Sequence, residues 1–473
     1  MYSLMFLGFT SFVLSLFLTP FVRNQALRFG LVDEPDGGRK LHQVPIPRLG
    51  GVAILAAVVG AYALLLVVGL SAGHIVRAGL PFALKLLPAV VIIFAIGFVD
   101  DIVGLRSWEK LTAEVGAGLL AWSVGIRLLS IGAHPFPIWA SLLLTILWIV
   151  ACTNAVNLID GVDGLATGVG LFATLTTLIA GLLHHNLDLV FATVPVAGAL
   201  LGFLRFNFNP ASIFLGDCGS LTLGFLLGCY GIVWSEKSTT ALSMTAPLLA
   251  LSVPLLDSAI AVARRYLRQQ PIFTADRAHI HHKLLSRGFT PRRVVLVLYG
   301  FCGLAAVASL LLTATHQQYQ GFVLVLVCLT AWLGLQHLGY NEFGVVSKLA
   351  IGGGFRKLIN AQLSLIGLEQ ELASARSLER CWNLLCDTAP VFGFAGIKLH
   401  LERDLLHGDF TSRWHVHVDL PGHGYIIFTR NSGAKTGGAE AVLFVDCVAR
   451  VLQHKLDELR TRPADLRAYA SAD

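Results

Sequence analysis

Asp100 and Asp101 stand side by side in "GFVDDIVGL" (97–105), at the end of a long apolar run. An ionised carboxylate costs ~2.5–3.5 kcal/mol at the centre of a membrane helix and less at the interface. These two also close the C-terminal end of a helical stretch, where the macrodipole disfavours negative charge. A cation or a basic side chain beside them is the simplest compensation. Asp160 and Asp163 follow in "NAVNLIDGVDGLATG" (154–168), with Gly161 and Gly164 free to turn sharply and Asn154 and Asn157 one helical turn earlier. The DGxDG spacing occurs in calcium loops, but the remaining calcium ligands and the terminal glutamate are missing.

Two further clusters add to this set. In "RFNFNPASIFLGDCGS" (205–220), Asp217 opens an apolar stretch, as an ordinary helix cap would. Phe214 there suits an interfacial anchor or a face on which a planar base stacks. "DRAHIHHKLL" (276–285) offers His279, His281 and His282 between Arg277 and Lys283. No cysteine or carboxylate constellation completes a zinc site around them, and the mixture suits phosphate oxygens better. Carboxylates for a hard cation, bases for phosphate, and amides with an aromatic ring for a nucleobase fit phosphoryl transfer between a nucleotide-linked donor and a lipid-borne acceptor.

The elements that must position these residues are membrane spans. Of the 473 residues, 55% are hydrophobic and 14% charged, and the mean hydropathy of +0.70 is that of an integral membrane protein. The net charge of +6 lies in short segments between apolar runs, which excludes a nucleic-acid partner in favour of membrane topology. The eight cysteines form no CxxC pair and read as buried or lipid-facing residues. Spans of about 20 residues fall near 3–22, 49–70, 81–99, 112–130, 136–153, 164–182, 188–204, 218–235, 243–262, 294–314 and 319–339. The fold class is therefore an all-α polytopic protein of about 11 transmembrane helices, its first span retained rather than cleaved.

Sixteen Lys and Arg lie in the loops after the odd-numbered spans and four in the opposite loops and their flanks. The positive-inside rule then puts the odd-numbered loops in the cytoplasm and the N-terminus outside. Every polar cluster, including "RKLHQVPIPRLGG" (39–51), falls in an odd-numbered loop, so five loops converge on one membrane face. Residues 1–340 form the membrane domain and 341–361, with "IGGGF", a linker. Residues 362–473 read as helix, alternating strands, then a helix with Ala441, Val445, Val448, Leu452, Leu456 and Leu459 on one face: a cytoplasmic α+β domain.

At this point the chain resembles the polyprenyl-phosphate N-acetylhexosamine-1-phosphate transferases, glycosyltransferase family 4. Five motifs carry the likeness in order over residues 1–340: KxHxxPxPRxGG from Lys40 to Gly51, the Asp pair, NxxNxxDGxDGLA, NxxPAxxFxGDxGS, and HIHH. The resemblance implies that Asp100, Asp101 and Asp217 form a catalytic, magnesium-associated group. Asp217 with Asn157 would be the metal ligands, with Mg2+ or Mn2+ as the ion, and the Asp100/Asp101 pair would activate the lipid phosphate. It assigns Asn157, Asp160, Asp163, Asn207 and Phe214 to the nucleotide or the cleft, with Phe214 stacking on uracil and Asp163 hydrogen-bonding it. His279, His281 and His282 belong to the histidine segment near the diphosphate and sugar, and Lys40, His42 and Arg48 match the first cytoplasmic loop.

Lys283 stands where the peptidoglycan branch of the family has a third consecutive histidine, so the chain looks like the GlcNAc-1-phosphate branch. The resemblance implies a bacterial inner-membrane enzyme acting on a UDP-sugar and undecaprenyl phosphate, in the first membrane step of a cell-envelope polysaccharide. A homodimer is a further expectation. The C-terminal domain faintly resembles a GAF-type sensory fold without recognisable ligand residues. The rival from the residues is a transporter or channel with a cytoplasmic regulatory domain, which predicts polar residues near span midpoints. Glu114 is the main residue that fits it.

Overall fold

A computed structural model describes residues 2–34, 44–70, 73–131, 134–236, 245–267 and 279–314. In the C-terminal part it describes 378–400, 413–422, 424–431 and 438–460, with a few positions between 325 and 372. The chain divides into two compact units, Met1–Gly339 and Tyr340–Asp473. The expected linker, 341–361, lies outside the described residues, as does the expected eleventh span apart from Val325 and Leu329.

Among the described residues, eight helices are long and apolar enough to cross a membrane. They are α1 (Tyr2–Arg28), α2 (Gly50–Val68), α3 (Gly73–Val103), α5 (Ile138–Ile159), α6 (Leu165–Leu183), α7 (Leu187–Asn207), α8 (Asp217–Glu236) and α12 (Pro291–Ala314). The fourth expected span is the helix α4 (Ser107–Val124), which carries Glu109, Lys110 and Glu114 and is less apolar. The ninth is two helices, α9 (Thr245–Ala250) and α10 (Ser252–Leu267), the latter bearing Asp257, Arg264 and Arg265. A short helix, α11 (Ile280–Ser286), precedes α12.

Burial grades from the centre outward. Of the apolar stretch of α8, 83% is buried inside the unit, against 17% for α3, so α8 is the post around which the others stand. Outward faces carry exposed Phe9, Phe17, Val67 and Leu304, as a lipid-facing surface requires. Small residues let α1 press against α7: Ser11 Oγ donates to the Pro195 carbonyl at 2.6 Å and Ser15 Oγ to that of Ala199 at 2.8 Å. Pro195 has no N–H for the carbonyl one turn back, Phe191, and the Tyr62 hydroxyl of α2 donates to it instead at 2.8 Å. In hydrocarbon such a replacement partner matters more than in water.

Two antiparallel ribbons interrupt the helices: β1 (Val32–Asp33) with β2 (Ile46–Pro47), and β3 (Ser130–Ile131) with β4 (His134–Pro135). The second unit has a helix at Leu378–Thr388 and a three-stranded antiparallel sheet in the order β5 (Phe394–His400), β7 (Gly424–Asn431), β6 (Arg413–Leu420). A helix at Gly438–Arg460 follows. Phe392, Phe394, Phe428 and Phe444 form its core, with ring centroids 4.7 Å apart for Phe392 and Phe444. Helix, strands, helix is the order that the alternation in the sequence predicts.

Candidate active site

The carboxylate pair sits inside the last turn of α3, and its two members do different things. Asp101 accepts the peptide N–H of Asp217 on Oδ1 at 2.8 Å and that of Cys218 on Oδ2 at 3.0 Å. The first N–H groups of a helix have no partner within it and carry the positive end of its dipole, so Asp101 caps α8 from another segment. Asp100 accepts the Leu105 N–H at 2.6 Å and lies 3.2 Å from Lys110 Nζ, which is itself 2.9 Å from Asp217 Oδ2. The half-buried ammonium of Lys110 thus joins two carboxylates that are distant in sequence, and it is the basic partner that the end of α3 demands.

One turn further along α4, Glu114 is 1% exposed and takes a hydrogen bond from the Asn154 amide of α5. The expected loop around Asn154 and Asn157 is helical: α5 continues to Ile159, and both side chains lie on its last turns. Asn157 Nδ2 donates to Ser220 Oγ at 2.9 Å, which ties it to the first turn of α8. The chain before α8 turns at Gly216, with φ of +74°; a Cβ there would lie 2.7 Å from Asp101 Oδ2. Only glycine lets the backbone pass that close to the cap.

Asp163 Oδ2 accepts both Asn209 Nδ2 and the Ala211 N–H at 3.0 Å, holding the segment after α7. Asn207 bridges the same segment, accepting from Thr167 Oγ1 at 2.7 Å and donating to the Ile213 carbonyl at 3.0 Å. Phe214 is strapped by its backbone, its N–H to the Pro47 carbonyl at 2.7 Å and its carbonyl to the Gly50 N–H at 3.0 Å. Arg48, between those two, pairs with buried Asp33 of β1. Asp160 follows α5 with part of its surface at the cavity. Burial, then the charges of Asp217, Asp101 and Asp163, holds its carboxyl well above the usual carboxylate range.

These segments enclose a cavity of about 540 Å3. Asp100, Asp101, Asp160, Asp163 and Asp217 line it together with Asp33, Arg48, Asn207, Phe214 and His282. Asn157 is not among the lining residues. Of the three histidines only His282 lines it; His279 and His281 are buried, and His281 Nε2 faces Gly161. Burial, reinforced by His282 and His279 and opposed by Asp257, pushes His281 down to about 4, so its ring is neutral. Lys40 and His42 lie outside the described residues. Sequence reasoning missed Lys110, Asp33, Asn209, Ser220 and Asp257; the uncompensated charge at the end of α3 signalled a partner such as Lys110 without naming it.

Among the described residues, no three His, Cys, Asp or Glu side chains converge into an all-protein metal site. Magnesium seldom asks for one: it takes one or two carboxylates and completes its shell with water and substrate phosphate. The hard oxygens of Asp217 and Asp100, which both line the cavity and share the Lys110 ammonium, fit that donor set.

Helices crossing a membrane, and a cavity at one end of them with carboxylates facing an arginine and a histidine, define a membrane enzyme class that handles phosphate at the interface. Residues 83–235 match the model of the family described as Glycosyl transferase family 4. A Bacillus subtilis (strain 168) protein, "Probable undecaprenyl-phosphate N-acetylglucosaminyl 1-phosphate transferase", is 36% identical over 290 residues, 60% of this chain and 78% of that one. "Decaprenyl-phosphate N-acetylglucosaminephosphotransferase" of Mycobacterium tuberculosis (strain ATCC 25618 / H37Rv) is 34% identical over 333 residues, 63% of this chain and 80% of its own. The Escherichia coli (strain K12) "Undecaprenyl-phosphate alpha-N-acetylglucosaminyl 1-phosphate transferase" is 27% identical over 326 residues, 66% and 85% of the two chains. The chain belongs to glycosyl transferase family 4.

Proposed function

We propose that the protein transfers N-acetylglucosamine 1-phosphate from its UDP-sugar to undecaprenyl phosphate, releasing UMP. Relatives named for that transfer at 36% and 27% identity support the reading. The observation that carries it is Lys110, whose ammonium joins Asp100 to Asp217 in the wall of a cavity that also holds Arg48 and His282. Such an arrangement offers both signs of charge to a diphosphate and its counter-ion. A transporter is not favoured, because the charged residues gather at helix ends rather than at midpoints, and Glu114 is satisfied by Asn154.

An oxygen of the lipid phosphate attacks the phosphorus next to the sugar. The bond from that phosphorus to the bridging oxygen breaks, and the electron pair leaves with UMP. Asp217 and Asn157 would hold Mg2+ or Mn2+, which would offset the charge of the diphosphate. Asp100 and Lys110 orient the lipid phosphate. Asp101 acts on α8 rather than on substrate, which narrows the reacting pair to Asp100 and Asp217. Phe214 provides a stacking face for uracil, and Asp163 and Asn207 hold the wall behind it. Donors related to N-acetylglucosamine, with fucosamine or quinovosamine, fall within the same reading.

The wider setting is part of the proposal: eleven spans in a bacterial inner membrane, with the N-terminus outside and a homodimer as the assembly. The GAF-like C-terminal domain then lies in the cytoplasm and serves regulation. The test incubates purified protein with undecaprenyl phosphate, magnesium and a panel of UDP-sugars and assays UMP. Release with a UDP-N-acetylhexosamine, abolished in folded Asp217→Asn, is the expected result. A folded preparation that releases none with any donor overturns it.

A further inference from the structure

His279 is one of the three histidines in the motif, yet it does not touch the cavity. It is 5% exposed and precedes α11. Its partner is Asp257 of α10, 2% exposed and 22 residues away in sequence. Asp257 Oδ2 lies 3.0 Å from His279 Nδ1, and Oδ1 accepts the Ile280 N–H at 2.8 Å. One carboxylate therefore holds both the ring that starts the segment and the first peptide N–H of α11.

The rings continue inward from there. His279 and His281 are stacked with centroids 5.7 Å apart and planes 3° from parallel, and His281 and His282 are 4.4 Å apart. His281 abuts Gly161, and His282 reaches the cavity wall. A carboxylate on one ring nitrogen fixes the tautomer and the plane of an imidazole. Here the fixed ring is the outermost of three in contact, and a wrong plane at His279 would be passed to His281 and on to His282.

The geometry points to Asp257 as the positioning residue of the histidine segment: it anchors His279 and α11 so that His282 is presented to the phosphates of the nucleotide-sugar. It does not touch substrate, and the identity of that substrate rests on the function proposed above. Asp257 is separate from the carboxylates of the cavity, and its contribution is to donor binding rather than to the lipid.

Asp257→Asn is the discriminating variant. The amide keeps an acceptor for the Ile280 N–H but sets an N–H donor against His279 Nδ1, so the ring keeps that contact only as the other tautomer, with its proton moved to Nε2 and the charge of its partner gone. In the full-length protein, KM for the UDP-sugar that the wild type turns over should rise about 10-fold or more, the usual scale for losing such a partner. KM for undecaprenyl phosphate should stay put, and Asp257→Glu should recover part of the loss. An unchanged KM for the UDP-sugar, or an equal rise for both substrates in protein that melts like the wild type, overturns the proposal.

A second measurement needs no turnover. With diethyl pyrocarbonate and mass spectrometry, His279 should be modified slowly in the wild type and faster, with His282 altered as well, in Asp257→Asn. Equal rates overturn the role of Asp257. A wild type that releases no UMP counts against the proposed function alone and leaves this comparison standing.

Discussion

Lys110 sits beside two negative groups from different helices that both line the cavity. Its charge balances Asp100 and Asp217, and its position fixes their separation. Lys110→Met keeps the stem and deletes the ammonium; kcat for UMP release should fall by about 100-fold or more, the scale of losing one preorganised charge donor. Lys110→Arg should restore little of it, because a planar fork does not replace a point charge. Activity within a few-fold of the wild type in Lys110→Met would remove Lys110 from the site.

The residues around it show what can be read from a chain and what cannot. Asp100, Asp101 and Asp217 were conspicuous because charge at the end of an apolar run is costly, and all three line the cavity. Spacing could not tell Asp101 from Asp100: the first caps a helix 116 residues away and the second meets the ammonium. Asp257 drew no notice, since a single acid in an apolar stretch reveals its partner only once α10 and α11 are placed.

Among the elements, the apolar runs predicted the long helices well, since length and hydropathy alone decide them. The differences come at helix ends. Polar last turns on α3, α5 and α7 carry the site, where a reading by hydropathy stopped the spans and began loops. The helix α4 was hard to see as a span because the charges that weaken its apolar signal, Lys110 and Glu114, are the ones that face inward.

Gly97 makes the helix contact at the site testable. A Cβ there would lie 2.5 Å from the Asp217 carbonyl oxygen and 2.7 Å from Cys218 Cα, so α3 and α8 touch backbone to backbone. Gly97→Ala should force them apart at a cost of about 1–3 kcal/mol and lower kcat more than its effect on melting would suggest. A variant as active and as stable as the wild type would show that the α8 terminus tolerates displacement.

For the whole molecule, the proposed orientation puts the C-terminus in the cytoplasm and the N-terminus outside. A reporter that works only in the cytoplasm should be active when fused after Asp473 and silent when fused before Met1. The reverse pattern would put the cavity on the outer face, away from any supply of nucleotide-sugar, and would overturn the orientation. Residue usage changes after "IGGGF", because a chain that leaves hydrocarbon no longer needs apolar outward faces. The core phenylalanines of the second unit say how it folds and nothing of its role.

The backbone contact at Gly97 and the turn at Gly216 also constrain how this protein can diverge. Both flank the first turn of α8, and neither leaves room for a side chain. A side chain at either position would displace the first turn of α8, where Asp217 stands. Gly161, which also lines the cavity, is confined as well: a Cβ there would lie 3.0 Å from His281 Nε2. Close contacts at three glycines thus limit how the backbone around one cavity can change.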